Sequence, residues 1–217
     1  ELRIRRYGVH GSSYASLVRR LPALAGHLPD RVLACHLGNG ASLCAVKSGV
    51  SVATTLGYSP LEGLTMGTRA GDIDGNAVLR LAATQGIERA SAMLNREAGL
   101  LGLSGISSDM RTLQQDGAAT ARLAIDHFTY WAVRHAGSMV AAMGGRDAIA
   151  FTGGIGENAA PIRAAIVNGL GFLGARVEDG ANAVHEKVLH PPGSTVGVYI
   201  VPAEEERMIA TYAEEVL

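Results

Sequence analysis

A histidine flanked by glycines, Gly8-Val9-His10-Gly11, follows the pair Arg5-Arg6 near the start of the chain. An imidazole on so open a backbone can donate to a phosphoryl group in transfer, although a lone histidine is more often structural. Arg69 is also isolated among small residues, in Met66-Gly67-Thr68-Arg69-Ala70-Gly71-Asp72. A loop guanidinium of this kind can take a phosphate or carboxylate bidentately. A solvated surface arginine is the plainer reading, and Asp72 is placed either to orient Arg69 or to hold magnesium-bound water. His36-Leu37-Gly38-Asn39-Gly40-Ala41-Ser42 reads as a hairpin tip. It is either a tight turn alone or a cradle whose outward N–H groups accept an anion. Phe151-Thr152-Gly153-Gly154-Ile155-Gly156-Glu157-Asn158 reads as strand, glycine-rich turn and helix start, which suits an anion or a nucleotide. Ser107-Ser108-Asp109-Met110-Arg111 either caps a helix or touches ribose and adenine through Asp109 and Arg111. Glu204-Glu205-Glu206 either complements a helix dipole or supplies a magnesium ligand at the end of a strand.

The elements that must carry these groups follow from the apolar runs. Arg31–Leu37, Ala41–Lys47 and Val50–Thr55 read as three short strands joined by Asn39-Gly40 and Ser48-Gly49, an antiparallel meander. Helices are expected over 16–27, 75–84, 87–98 and 118–143. The last shows apolar Ala121, Ile125, Phe128, Ala132, Ala136, Met139 and Met143 at steps of three and four, and Gly144-Gly145 ends it. Gly57–Gly75 and Gly99–Asp109 read as glycine-rich loops. A strand over 147–152, a turn over 153–156, a helix over 158–170, a strand over 195–201 and a helix opened by Pro202 complete the chain. The result is a mixed α/β domain with one sheet and flanking helices.

Composition bounds the class. The 217 residues are 47% hydrophobic and 18% charged, a globular balance able to bury a core. The net charge of −1 lacks the basic excess of a nucleic-acid binder. No apolar run reaches the roughly 18 residues that cross a bilayer, and the charged opening residues show no signal-peptide pattern. Cys35 and Cys44 lie in strand-like runs without metal spacing, which points to a reducing compartment and a cytoplasmic protein. Glycine is the outlier, at 28 against roughly 15 for ordinary usage. Lys47-Ser48 is preceded by Val46, so there is no Walker A loop.

Read in order, RRYGVHG, HLGNGAS, PLEGL, MGTRAGD, LLGLSGISSDMR, FTGGIGEN and the final PAEEE resemble the acetate kinase family of short-chain carboxylate kinases. That family belongs to the superfamily of sugar kinases, actin and heat-shock chaperones. The resemblance spans essentially the whole chain. It implies a ribonuclease-H-like, actin-like ATPase domain over residues 1–217, the nucleotide-binding C-terminal half of such an enzyme. It implies ATP- and magnesium-dependent phosphorylation of acetate to acetyl phosphate, with propionate or butyrate as alternative acceptors and a non-catalytic ATP-binding remnant as the rival. His10 resembles the histidine that stabilises the transferring phosphoryl group, and Arg69 the arginine that positions acetate and phosphate. Val9 and Pro60 match acyl-pocket positions. His36, Gly38, Asn39 and Gly40 resemble phosphate contacts. Asp109, Met110 and Arg111 resemble ribose and adenine contacts, and Gly153, Gly154, Ile155, Gly156 and Asn158 the nucleotide loop. Glu205 resembles the magnesium-side glutamate. The family also implies a homodimer with no nucleic-acid or membrane partner. Departures are expected at Val9, where Phe is usual, at Tyr14, where His is usual, and at Ala203-Glu204, where Thr-Asn is usual. The family's N-terminal half is expected to be missing, and with it a first phosphate loop, a second substrate arginine and an aspartate near the metal.

Overall fold

The computed structural model describes residues 4–216. Strands β1 (Arg31–Leu37), β2 (Ala41–Lys47) and β3 (Val50–Thr54) form the expected antiparallel meander. Strands β4 (Ala148–Thr152) and β5 (Gly197–Ile200) add parallel to the other side of β1. The sheet order is β3-β2-β1-β4-β5, the ribonuclease-H-like arrangement expected from the sequence. Arg31 and Asp147 help fix the β1–β4 register at its open end, with Arg31 Nε 3.0 Å and Nη2 2.6 Å from the two Asp147 oxygens.

The central strands are buried on both faces, so period-2 alternation decides which layer each side chain meets. Val32, Ala34, Cys44, Val46, Ala148, Ala150 and Tyr199 pack with Leu17 and Leu21 of helix α1 (Gly11–Ala25). The alternate residues Leu33, Cys35, Leu43, Ile149, Phe151 and Val198 meet a larger core built on α6 (Ala119–Met143) and α8 (Ala160–Gly169). Helix α6 presents Ala121, Ala124, Phe128, Ala132 and Ala136, all buried, and its small side chains let it lie close to the sheet. Ile125, expected in the core, is only partly buried because Ala124 takes the inward position. Helix α10 (Glu205–Val216) packs beside α1. Helices α2 (Gly75–Gln85), α3 (Ile87–Ala92), α4 (Gly99–Ser104) and α5 (Met110–Gln115) follow the Arg69 loop in the chain, with a π-helical segment over Met93–Glu97 whose Leu94 O accepts from Ala70 N of that loop.

Several expected boundaries move. Helix α1 starts at Gly11 rather than 16, because the small residues Gly11-Ser12-Ser13 fit a first turn whose N-cap is His10. The supposed loop 99–109 contains α4, which propagates from a left-handed Gly99 against the Arg69 loop. The turn after β4 is itself helical, α7 (Gly153–Asn158), and a short α9 (Asp179–Ala183) follows α8. The final helix begins at Glu205, not at Pro202, whose carbonyl instead accepts from Arg20 Nη1 at 2.6 Å.

Candidate active site

The β1–β2 hairpin tip is the hub. Gly38 N–H donates to Gly40 O at 3.0 Å, so that amide is spent inside the turn and is not free for an anion. A Cβ on Gly40 would stand 3.5 Å from Arg69 Nη1 and 3.5 Å from His10 Nε2. One on Gly38 would stand 3.8 Å from His36 Nε2 and 4.0 Å from Gly154 N. The glycines thus keep open a space with two imidazoles and a guanidinium on one side and the β4–α7 turn on the other.

His10 and His36 stack with ring centroids 4.0 Å apart and planes at 23°. Alternation puts His36 on the α1 face of β1, and α1 opens at His10. His10 itself holds a left-handed backbone, φ 62°, a conformation sparsely populated outside glycine and often retained at functional sites. Burial and the neighbouring His36 and Arg69 lower the His10 pKa to about 4, against a smaller opposing pull from Glu205. Burial alone lowers His36 to about 4. Both rings are therefore neutral near pH 7. Glu205, in the first turn of α10, reaches His36 with Oε1 3.8 Å from Nδ1. Glu204 is tied instead to Arg20 at 2.9 Å and Arg207 at 3.3 Å.

Arg69 rides on a tightly pinned loop. Ala98 N donates to Thr68 O at 3.1 Å, Leu100 N to Met66 O at 2.8 Å, Leu101 N to Gly67 O at 3.0 Å, and Gly67 N to Asn39 O at 2.9 Å. The start of α4 thus spends its unpaired amides on the Arg69 loop. The guanidinium donates to Pro60 O at 3.4 Å, which places Pro60 beside it. Asp72 does not orient Arg69. It accepts from Gly63 N at 2.7 Å and faces His135 Nε2 at 3.3 Å.

Beyond the tip lies a cavity of about 300 Å³. Its walls are Gly38 and Asn39 from the tip, Asp109, Met110, Arg111 and Gln114 from α5 and its N-cap, and Gly154, Ile155, Asn158 and Ala159 from α7. Sequence reasoning named most of this wall and missed Gln114 and Ala159. Asp109 is an N-cap, accepting from Arg111 N at 2.8 Å, and lines the cavity as well, so its two readings coexist. Gly153 and Gly156 do not line it. Gly153 (φ 80°) lies against Leu37 O, where a Cβ would approach to 2.8 Å, and its N–H is taken by Glu157 Oε1 at 3.0 Å. Gly156 packs on Phe151. These two glycines position the turn. Glu157 Oε1 also accepts from Ala203 N at 2.9 Å, which ties α7 to the approach of α10 and Glu205. Arg163, fully buried, holds the other end of α7 by donating to Gly156 O at 2.9 Å and Glu157 O at 2.8 Å, and it bonds Asn182 at 2.8 Å. Its one sequence signal is an arginine at an inward position of an apolar helix.

Val9 goes elsewhere. It is 38% exposed and lines a groove of about 500 Å³ with Tyr14, Val18, Cys44 and Thr54, and Pro60 is not among its walls. Cys35 and Cys44 are buried, with thiol pKa values raised by burial. Among the described residues no three His, Cys, Asp or Glu side chains could together hold a metal ion. Glu205 is a lone carboxylate beside His36, so it could supply one ligand of a cation whose other ligands come from elsewhere. No helix among the described residues is long and apolar enough to cross a membrane.

The sequence profile of the Acetokinase family matches residues 1–211. The chain belongs to the acetokinase family. Acetate kinase of Nitrobacter hamburgensis is 43% identical over 99% of this chain and 54% of its own length. Acetate kinase of Pseudothermotoga lettingae is 40% identical over 99% of this chain and 55% of its own. Among solved structures, acetate kinase of Porphyromonas gingivalis superposes with a TM-score of 0.93 at 36% identity, covering 98% of this chain and 56% of that one. Propionate kinase of Francisella tularensis superposes with a TM-score of 0.89 at 36% identity, over 95% of this chain and 55% of that one. The chain spans about half the length of these relatives, and its open sheet with flanking helices is the acetokinase fold.

Proposed function

We propose that this chain is the nucleotide-binding half of a carboxylate kinase that moves the γ-phosphoryl group of ATP to acetate, giving acetyl phosphate and ADP. The observation that carries the reading is the convergence of His10, His36, Arg69 and Glu205 on the Gly38–Gly40 tip, next to the α5–α7 cavity. The cavity takes the adenosine end, and the tip takes the phosphates. Arg69 supplies fixed positive charge to the reacting oxygens. His10 and His36, neutral and prepositioned, donate hydrogen bonds rather than charge. Phosphoryl transfer asks a protein for this kind of positioning and charge neutralisation. Glu205 would hold magnesium on this chain, and the ion would supply neutralising charge to the nucleotide phosphates. A cytoplasmic homodimer is the assembly the family resemblance favours.

The test uses the chain as it stands. Calorimetric titration with ADP is expected to show weak binding that is lost when Gly154→Trp blocks the cavity. A hydroxamate assay for acetyl phosphate is expected to show little turnover, because part of the relatives' length lies outside this chain. Full binding by Gly154→Trp would move the nucleotide elsewhere, and turnover at an ordinary kinase rate would break the half-site reading.

A further inference from the structure

One ring nitrogen of His10 is already committed. Its Nδ1 lies 2.7 Å from Ser42 Oγ, and Ser42 Oγ lies 2.5 Å from the Tyr14 hydroxyl. Tyr14 is 7% exposed and Ser42 0%, so the bond between them is buried, while that from Ser42 to His10 is part-buried. Burial raises the Tyr14 pKa well above its usual value, so the phenol keeps its proton.

Among the described hydrogen bonds, one order of protons satisfies all three groups. The phenol donates to Ser42 Oγ, Ser42 donates to His10 Nδ1, and the His10 proton resides on Nε2. In the reverse order His10 Nδ1–H donates to Ser42 and Ser42 to the phenol oxygen. The buried phenol proton then has no described acceptor, a costly arrangement. The scaffold is local. Tyr14 N–H donates to His10 O at 3.0 Å across the first turn of α1, and Ser42 stands opposite His36 in the β1–β2 register. The stacked partner is treated alike, since Ser13 Oγ lies 2.8 Å from His36 Nδ1. Neighbouring residues of one helical turn thus hold neighbouring rings.

We infer that Tyr14 and Ser42 are positioning residues that fix His10 as its Nε2–H tautomer, a hydrogen-bond donor aimed at the space between Gly40 and Arg69. The inference deepens the phosphoryl-transfer reading and rests on it for its functional consequence. A ring fixed this way cannot accept a proton at Nε2, so His10 serves as donor to a phosphoryl oxygen and not as a base.

Imidazole nitrogen shifts of the ¹⁵N-labelled chain at pH 7.5 test this, with His10→Gln assigning the resonance. The expected spectrum shows protonated Nε2 and bare Nδ1. Tyr14→Phe and Ser42→Ala should each shift His10 toward a tautomer mixture, with thermal unfolding recorded to show that both variants fold. In an enzyme that carries the remaining half, each variant should lower kcat roughly 10-fold or more at unchanged KM for ADP, as loss of an orienting partner typically does. A native Nδ1–H tautomer, or an unshifted tautomer in both folded variants, overturns the proposal. A shifted tautomer with unchanged kcat upholds the positioning and overturns the phosphoryl-transfer role of His10 instead.

Discussion

At the residue scale, Arg69 is the group on which the proposed chemistry leans most. It stands beside the Gly40 tip and donates to Pro60 O at 3.4 Å, and it is not among the walls of the α5–α7 cavity. In an enzyme that carries the remaining half, Arg69→Ala is expected to cut kcat by roughly 10²–10³, the usual cost of losing one charge-stabilising donor. ADP affinity should stay within a few-fold, measured by calorimetry on the same variant. Chiefly weakened ADP binding would show that the phosphate and adenosine ends are divided wrongly. Val9 tests acyl choice at the same scale. It opens on the groove beside Tyr14 and Thr54. Filling that space with Val9→Phe should lower the propionate-to-acetate ratio of kcat/KM, by roughly 1–3 kcal/mol if the wall touches the extra methylene. An unchanged ratio in steady-state kinetics would mean that Val9 does not shape the acyl pocket.

At the scale of elements, α7, one wall of the cavity, is a six-residue helix, too short to be stable alone, and it is held from outside. Glu157 clamps its first amide to the Ala203 approach, and Arg163 binds its last carbonyls. No carboxylate pairs with Arg163 in its described hydrogen bonds. Its partners are Gly156 O, Glu157 O, Asn182 and His185 Nδ1, and burial lowers its pKa to about 10. Arg163→Met keeps much of the volume and strands those acceptors, each costing about 1–3 kcal/mol when buried and unsatisfied. A loss of several kcal/mol is expected in urea unfolding, with ADP affinity falling in the protein that remains folded. Gly99 plays the matching part for the Arg69 loop. Its left-handed backbone (φ 64°) lies against Met66 O, and a Cβ there would collide with that carbonyl.

For the whole molecule, the stacked histidines link the site to folding. Both are lowered to about 4 in the fold from an ordinary 6.5. The unfolded chain therefore binds protons that the native state refuses as pH falls from about 6.5 toward about 4. Their effect is absent above pH 6.5 and complete below about 4. For His36, which is buried, the loss is on the order of 3 kcal/mol. The groups facing the pair are Glu205, Arg69, Ser13 and Ser42, and only Glu205 opposes the shift. Denaturant unfolding from pH 8 to pH 4 is expected to show stability flat at first, then falling below 6.5. A flat profile to pH 4.5 would mean that the rings charge freely in the native state.

The sequence alone determined the meander, the long helix and the order of motifs. Asn39-Gly40 between apolar runs and the three-and-four spacing of Ala121 to Met143 are local signals that depend on few neighbours. It also marked most of the residues that the fold gathers around the tip and the cavity, because glycine runs around His10, Arg69 and Gly154 mark backbone that must come close to something. Tertiary structure decided what that something is. It spent the Gly38 amide inside its own turn and gave Asp72 to Gly63 and His135. It turned the Gly99–Ser104 part of the Gly99–Asp109 loop into a helix bonded to the Arg69 loop, and sent Val9 to a groove that Pro60 does not line. It alone made Arg163, Glu157, Ser42 and Tyr14 structural partners of the site. Hydrogen bonds between residues tens of positions apart leave no periodicity in the chain, and the sheet register that brings Ser42 opposite His36 and His36 beside Thr152 exists only once the strands have paired.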